Sequence, residues 1–321
     1  MFVPRRAFLA TPLLAAGTAM AQPGFPNRPI SVVVPFAPGG GTDVVGRAVA
    51  AIMERDLGRP LVVENRAGAA TSIGSTYVAQ ARPDGYTLLL GASSLAINPA
   101  LQPNLTPRDP LRELIAIGPV YSNPLVLQVH ASVPATTVAE FIAYARANPS
   151  KINYGSAGIG AVNHLMFAML LRQAGIEAEH VPYRGGAPAM LDLQSNRIQA
   201  MFNSPLEAQS LLAGGVTRAL GVSSLNRLAL LPDVPAISET LPGFDAVFWM
   251  GLFAPAGTPE AITARLSAAL RSATQDTALK ERLAAQGVSL LGGDGAAMQA
   301  LLARDTEAWG KVIREAGITV D

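Results

Sequence analysis

Residues 30–46, ISVVVPFAPGGGTDVVG, constrain the fold more than any other part of the sequence. The β-rich run at residues 30–34 is followed by Pro35 and Pro38, which have no N–H group with which to continue a β-ladder. Three glycines come next, and the apolar spacing then becomes helical. A strand, a glycine loop and a helix start place backbone N–H groups at the positive end of the helix, where an anion is favoured. An ordinary turn needs fewer glycines, so the segment predicts an anion-binding loop, here called the first loop (residues 35–43).

Strands and helices alternate along the rest of the chain. Predicted strands at residues 61–65 and 86–90, with helices between them, continue a β-α-β-α-β order that implies a parallel sheet flanked by helices. A second series follows, with strands predicted at residues 123–130, 152–154, 178–183, 198–203 and 217–222. The end of the chain is predicted as a strand at 246–253 and helices at 259–274, 276–286 and 295–316. The two series indicate a chain that crosses into a second lobe and then returns.

The first residues have the composition of an export signal. Arg5 and Arg6 precede an apolar run, and residues 19–21 have the small-x-small form of a signal-peptidase site. We expect residues 1–21 to be a cleaved signal peptide, and the paired arginines also fit the twin-arginine route. A membrane anchor is disfavoured because Pro12 interrupts a run that is shorter than about 20 residues. The chain has no cysteine, and an exported protein without disulfides fits the bacterial periplasm.

Charge and motif content disfavour several classes of protein. Two of the 24 Lys and Arg residues belong to the predicted signal peptide, which leaves 22 basic against 23 acidic residues, so no nucleic-acid surface is expected. Neither glycine-rich loop carries the lysine of a phosphate-binding loop, and no Gly-x-Ser-x-Gly elbow is present. Three dispersed histidines do not form a metal-site pattern. We therefore expect no metal, no cofactor and no catalytic residue.

A second glycine-rich loop, residues 155–160 (GSAGIG), also follows a predicted strand and precedes a helix. Two such loops could face each other across a cleft and hold an acidic ligand, since open α/β sheets bind ligands at the carboxyl ends of their strands. The second loop nearly matches a dinucleotide fingerprint, but the pattern ends in Asn163, so a nucleotide is disfavoured.

Three residues near these loops each allow two interpretations. Asp43 could be catalytic, but a carboxylate in the first helical turn is stabilised by the helix dipole and can accept backbone N–H bonds. We interpret it as a brace for the first loop. His164, at the start of the second loop's helix, could contact a ligand or form a structural hydrogen bond, and Phe36 could line the cleft or belong to a core.

Several segments of the sequence, taken together, resemble one known family. They are VVVPFAPGGGTD, VVENRAGA, PDGYTLLLG, INYGSAGIG, HVPYRGGAPA, ALGVSS, LPDVPAISE, GLFAPAGTP and AWGKVIREAGI, in order over nearly all of residues 25–321. With these segments the chain is similar to the Bug-type substrate-binding proteins of the tripartite tricarboxylate transporters. The resemblance implies an α/β fold of the Venus-flytrap type, in which each of two lobes is a mostly parallel sheet flanked by helices. We expect lobe 1 at residues 25–124 and 247–321, and lobe 2 at residues 125–246.

The resemblance also implies a function and a ligand site. Family members bind small carboxylates through loop N–H groups, hydroxyls and ordered water, close on them, and deliver them to membrane permease subunits. We therefore expect a monomeric periplasmic receptor and not an enzyme. The expected ligand-binding residues are Phe36, Pro38, Gly39, Gly40, Gly41, Thr42, Asp43, Ser93, Ser94, Ser156, Ala157, Gly158, Gly160, His164, Tyr183 and Asn203.

The sequence departs from the family pattern in two places. Ala161 and Val162 stand where the family often has two hydroxyl residues, and Asn203-Ser204 stands where it often has Asp-Asn. Fewer hydroxyls and one less negative charge suggest a ligand whose far end is less polar than a second carboxylate, such as a monocarboxylate or an amide. Two alternatives stay open: a stand-alone sensor for a receptor kinase, and an enzyme on the same fold.

Overall fold

Two β-sheets and the helices around them form the computed structural model, which describes residues 24–320 apart from residues 37, 40, 184 and 185. The predicted signal peptide and Gly40 of the first loop lie outside the described residues. The described strands are β1 (Ile30–Val34), β2 (Leu61–Asn65), β3 (Thr87–Ala92), β4 (Leu114–Pro124), β5 (Val126–His130), β6 (Asn153–Ser156), β7 (Glu179–Pro182), β8 (Ala200–Asn203), β9 (Thr217–Val222), β10 (Val247–Pro255) and β11 (Ser289–Leu290). The described α-helices are α1 (Gly41–Leu57), α2 (Ser72–Ala79), α3 (Ser94–Leu101), α4 (Pro110–Glu113), α5 (Val138–Ala147), α6 (Val162–Ala174), α7 (Gly186–Gln194), α8 (Pro205–Ala213), α9 (Glu260–Gln275), α10 (Thr277–Ala284) and α11 (Gly295–Glu315).

The first sheet has the strand order β11-β4-β10-β3-β1-β2. Its parallel part consists of β1 with β2 and β3 on either side. The remaining neighbours, β3–β10, β10–β4 and β4–β11, are antiparallel. Strands β1, β2 and β3, which form the predicted β-α-β-α-β series, are thus parallel, as the sequence predicts.

The second sheet has the order β7-β6-β8-β5-β9. Strand β6 is parallel to both β7 and β8, whereas β5 is antiparallel to both β8 and β9. The expectation of mostly parallel sheets was wrong in this respect, because both sheets are mixed. In the first sheet the reason is topological. Strand β4 carries the chain out of this sheet and β10 brings it back, so β4 and β10 run in opposite directions.

Strand β4 is the element that the sequence did not reveal. Gly118 and Pro119 give this segment the composition of a loop, and only its last residues were predicted as part of a strand. In the structure the pairing of β4 with β10 shifts register between Met250 and Gly251, opposite Pro119. A bulge of this kind tolerates a proline because the missing N–H group is not needed in the ladder.

Helix α1 positions the first loop by packing on the first sheet. Its buried residues Val45, Val49 and Met53 follow the four-residue spacing of an amphipathic helix. A Cβ added at Gly46 would lie 2.7 Å from Leu90 of β3, so this glycine allows the helix to approach the sheet closely. Helix α1 also contacts α9.

A second core connects the two sheets. Helix α11 packs on both α3 and β4, and it also contacts α6 beside the second sheet. Trp249 of β10 is fully buried in this core, where its indole N–H donates to Asp305 of α11 at 2.7 Å. None of the described helices is both long and apolar enough to cross a membrane.

Candidate functional site

A cavity of about 260 Å³ lies between the two sheets, where the loops after β1, β2, β3 and β6 converge. Its volume suits a small metabolite, since pockets for drug-sized ligands begin at about 300 Å³. The first sheet's elements contribute Phe36, Ala70, Thr71, Ala92, Ser94, Ile97, Asn98, Leu101, Gln102 and Phe248. The second sheet's side consists of the second loop and the start of α6, with Ala157, Gly158, Ile159, Gly160, Ala161 and Val162.

The polar side chains of the cavity come from the first sheet's side. The hydroxyls of Thr71 and Ser94 are 2.6 Å apart, and the Asn98 amide nitrogen donates to the Ala70 carbonyl oxygen at 2.9 Å. Ser94 and Asn98 lie one turn apart on α3, so a single helix face supplies both. These groups can donate hydrogen bonds to a carboxylate without a cationic side chain.

The turn before α2 has an unusual backbone. Ala69, Ala70 and Thr71 have φ angles of 44°, 49° and 75°, the left-handed region that residues with a Cβ rarely adopt. Each such residue costs about 1–2 kcal/mol, and strain of this kind is concentrated at ligand sites. The hydrogen bond from Asn98 to Ala70 helps to hold the turn in place.

The second loop presents no polar side chain to the cavity. The six lining residues at 157–162, four in the second loop and two directly after it, are glycine, alanine, isoleucine or valine, so only backbone groups there can bond a ligand. Ala161 and Val162, the two departures from the family pattern, are among them. Gly160 lies directly against Leu101 of α3, because a Cβ added to this glycine would overlap the leucine side chain.

None of the described residues that line the cavity has a formal charge. A bound carboxylate would therefore depend on hydroxyls, amides and backbone N–H groups near helix starts. Nor do three or more His, Cys, Asp or Glu side chains come together as a metal site anywhere in the part of the chain that the structure describes.

Most of the first loop does not line this cavity. Phe36 does, but Pro38, Gly39 and Gly41 are exposed, and Thr42 accepts a hydrogen bond from the Tyr121 hydroxyl at 3.1 Å. The turn at residues 69–71 and the face of α3 line the cavity, where the sequence interpretation had placed Gly39 and Gly41.

Asp43 has the contacts of a brace. The residue is 3% exposed, and its carboxylate accepts from the Gly39 N–H at 3.0 Å, from Arg47 Nε at 3.0 Å and from Asn65 Nδ2 at 2.9 Å. The hydrogen bond from Arg47 is the main reason that the pKa of Asp43 is lowered to about 2, and the Gly39 and Asn65 bonds act in the same direction against burial. The carboxylate thus fixes the first loop to α1 and β2.

Five other predicted binding residues are held by the protein itself. Ser93 Oγ accepts from the Trp249 N–H at 2.9 Å, and Asn203 donates to Gln128. The Tyr183 hydroxyl donates to Asp192 at 2.7 Å. Ser156 and His164 bond the backbone of the second loop from behind and do not line the cavity.

The cavity includes residues that the sequence analysis did not single out. Thr71 follows β2 at the carboxyl end of a parallel strand, and that position was a usable signal. The contributions of Asn98, Leu101 and Phe248 depend on how α3 and β10 pack, and no local pattern marks them.

Comparison with known proteins identifies the family. The family profile described as "Tripartite tricarboxylate transporter family receptor" matches residues 45–318. The protein from the tcbD-tcbE intergenic region of a Pseudomonas species is 38% identical over 98% of this chain and 95% of its own length. BugT of Bordetella pertussis is 34% identical over 97% of this chain and 95% of its own length.

Solved structures agree with this assignment. The periplasmic binding protein BugD is 35% identical, with a TM-score of 0.73 over 92% of this chain and 99% of BugD. MatC from Rhodopseudomonas palustris, solved with bound malate, is 33% identical, with a TM-score of 0.73 over 90% of this chain and 100% of MatC. An R. palustris protein solved with adipate is 31% identical, with a TM-score of 0.76 over 92% of this chain and 99% of its own.

These relatives confirm the resemblance and the two-lobed binding-protein fold that it implied. They also confirm the prediction of a solute receptor and not an enzyme. The chain belongs to the receptors of the tripartite tricarboxylate transporter family.

Proposed function

We propose that this receptor works in the periplasmic space, where it captures a small monocarboxylate or an amide-bearing acid in the cavity between the sheets. It then delivers this ligand to the subunits of a membrane permease. The observation that carries the proposal is the asymmetry of the cavity. Thr71, Ser94 and Asn98 supply polar groups from the first sheet's side, whereas the second loop supplies only apolar side chains and backbone. One carboxylate fits the polar side, and a second has no side-chain partner opposite.

Two relatives give a reference for ligand size. MatC was solved with malate and another neighbour with adipate, both dicarboxylates of small size. The cavity of this chain, at about 260 Å³, holds a ligand of that size. Its second-loop side favours a ring or an alkyl chain, because burying apolar area yields roughly 25 cal/mol per Å² whereas an unpaired buried carboxylate is costly.

A carboxylate panel tests the proposal. Thermal shift and then calorimetric titration would compare benzoate and nicotinate with succinate, glutamate, malate and adipate. A ligand at 100 times its Kd stabilises the folded receptor by about 2.7 kcal/mol, which gives a clear shift. We expect benzoate or nicotinate to bind best. Tight binding of succinate, with no response to the monocarboxylates, would refute the ligand class.

Two substitutions provide a matched test of the same idea. Ala161→Ser with Val162→Thr puts hydroxyls on the second-loop side without changing the glycines. We expect this variant to bind succinate more tightly than the wild type does and benzoate more weakly, each by about tenfold, since one hydrogen bond to a charged group is worth about 1.5–3 kcal/mol. An unchanged succinate-to-benzoate ratio would show that these residues do not set the preference.

We also assign residues 25–124 and 247–321 to lobe 1 and residues 125–246 to lobe 2. The strand composition of the two sheets supports this division, since no described strand of one sheet falls in the other sheet's range. Closure by hinge motion would bend the crossings near Leu125 and before β10. Small-angle scattering of the monomer should give a smaller radius of gyration with bound ligand.

Export and delivery can be tested in cells. We propose that residues 1–21 are removed on export, so that sequencing of the periplasmic protein should find its N-terminus close to Gln22. Replacement of Arg5 and Arg6 by lysine should block export if the twin-arginine route is used. Deletion of the receptor gene should abolish uptake of the bound carboxylate, and the wild-type gene should restore it.

A further inference from the structure

Two histidines hold the second loop from the side opposite the cavity. We infer that His164, supported by His180, is a positioning residue for the ligand site: the neutral imidazole of His164 fixes Gly160 of the second loop, and protonation of this ring releases the loop and weakens binding. The part of the inference that concerns affinity rests on the proposed function.

His164 contacts the loop through one nitrogen atom. The Gly160 N–H donates to Nδ1 of His164 at 3.0 Å, so Nδ1 carries no proton and the ring proton is on Nε2. Gly160 has a φ of 75° and lines the cavity against Leu101. A proton added at Nδ1 would face the Gly160 N–H, and the hydrogen bond that holds this part of the loop would be lost.

His180 holds the preceding turn of the same loop. Its Nε2 lies 2.7 Å from the hydroxyl of Ser156, which is fully buried. That hydroxyl oxygen accepts from the Gly158 N–H at 3.1 Å and lies 2.9 Å from the Gly158 carbonyl oxygen. The two histidines therefore reach the two glycines that face the ligand, one directly and one through Ser156.

The two imidazoles stack on each other beside Tyr154. Their centroids are 3.8 Å apart with planes inclined by 3°, and the centroid of the Tyr154 ring is 4.9 Å from that of His180 and 6.2 Å from that of His164. The pKa of each histidine is lowered to about 4, mainly by burial, and at His164 the nearby His180 contributes to the lowering. Both rings are thus neutral at pH 7, and two charged rings at this separation would repel each other.

Charged groups from other elements surround the pair. A groove of about 740 Å³ behind the rings is lined by Arg172 of α6, Glu177 before β7 and Glu315 of α11. Arg172 forms an ion pair with Glu315. Burial raises the pKa of Tyr154, and the negative charge of Glu179 in β7 raises it as well. Glu177 has no ion pair with another described residue and would favour a protonated histidine, but no hydrogen bond joins it to either ring in that part of the chain, and burial of the rings dominates.

Histidine NMR of the ligand-free protein tests the geometry directly. The chain has three histidines, and His130→Gln removes the one that lies outside this arrangement, where it bonds Ser132. We expect ¹⁵N shifts that show an unprotonated Nδ1 for His164 and a titration below pH 5, accompanied by movement of the Gly160 amide signal. A proton on Nδ1 at pH 7, or titration near pH 6.5 without a change at Gly160, would overturn the inference.

Binding of benzoate and adipate tests the consequence. His164→Asn places an amide oxygen near the position of Nδ1 and cannot be protonated in this range, whereas His164→Leu has no acceptor. We expect the Asn variant to match the wild type within about threefold at pH 7 and its affinity relative to the wild type to rise as the pH falls through 4, and the Leu variant to bind about tenfold more weakly at pH 7. The ratio of variant to wild-type affinity at each pH removes the ligand's own titration.

The outcomes separate the inference from the proposed function. If neither benzoate nor adipate binds the wild type, the proposed ligand class fails, and the NMR result still decides whether His164 positions the loop. If the wild type binds and His164→Leu binds equally well while remaining folded, the positioning role is refuted. His130→Gln should follow the wild type at every pH, and a change in its profile would refute the assignment of the pH effect to His164.

Discussion

Asp43 illustrates how a buried carboxylate can hold a loop in place through donors of the protein itself. Three donors, from Gly39, Arg47 and Asn65, occupy its oxygens, and they join the first loop, α1 and β2. Because its pKa is lowered to about 2, the carboxylate stays charged at neutral and mildly acidic pH. Its negative charge is balanced locally by Arg47, which limits repulsion of an anionic ligand.

Asp43→Asn should destabilise the receptor by about 1–3 kcal/mol, because the amide nitrogen cannot accept the hydrogen bonds that the carboxylate accepts. Asp56→Asn, an exposed position near the end of the same helix, should change stability by less than about 0.5 kcal/mol. Urea unfolding measures both. Since the folded pKa is lowered, the contribution of Asp43 is complete above the unfolded pKa of about 4 and is lost as the pH falls through 2. Equal destabilisation by both variants would contradict the interpretation that Asp43 holds the first loop in place.

Among the secondary-structure elements, β3, α3 and β10 meet at two neighbouring serines with different roles. Ser93 is fully buried and exchanges hydrogen bonds with the backbone of Trp249 in β10. Ser94 instead bonds Thr71 and lines the cavity. Two adjacent residues, Ser93 and Ser94, therefore connect strand β10 to the cavity.

Ser93→Ala and Ser94→Ala form a matched pair of variants. The first leaves the buried Trp249 N–H without its hydroxyl partner and should lower the free energy of unfolding by about 1–3 kcal/mol, with ligand affinity little changed. The second should leave stability nearly unchanged and weaken binding by about tenfold. Thermal unfolding and calorimetric titration of the same samples distinguish the two. If Ser93→Ala lost affinity and kept its stability, Ser93 would be a ligand group after all.

Elements with a strong local pattern could be predicted from the sequence. The bounds of α1 and α11 follow from their amphipathic spacing, and β1 to β3 follow from apolar runs separated by turn residues. Strand β4 was missed because its proline and glycine lie at irregularities in its own register with β10, where Ile117 and Val120 have no partner, and these are a property of the pairing. The antiparallel pairing of β4 with β10 likewise depends on the strand order of the whole sheet and not on a local sequence pattern.

The candidate site was predictable in part for the same reason. Ser94, Gly158 and Gly160 follow predicted strands, and the structure places all three at the cavity. Thr71 adopts a left-handed backbone that its residue type does not favour, so composition pointed to the glycines of the first loop instead. Leu101 lies seven residues beyond Ser94 on α3 and reaches the second loop only through tertiary packing.

In the whole molecule, the contact between Leu101 and Gly160 joins the two sides of the cleft. One residue comes from α3 beside the first sheet and the other from the loop after β6 in the second sheet. Gly160 has no Cβ and a φ of 75°, and both properties allow the loop to approach the leucine. The fit of this pair should therefore govern how closely the lobes can approach on a ligand.

Gly160→Ala should weaken ligand binding by about tenfold or more, because overpacking of a close contact costs about 1–3 kcal/mol. Leu101→Ala in the same chain should restore part of the affinity, since it removes the side chain that the new Cβ meets. The matched control is Gly175→Ala, which has a φ of 60° and no atom near the added Cβ, and which should reduce stability without reducing affinity. Titration of the four variants, including Leu101→Ala alone, gives the coupling energy of a double-mutant cycle. Strictly additive effects would mean that the two sides of the cleft do not communicate through this contact, and closure would have to be limited elsewhere.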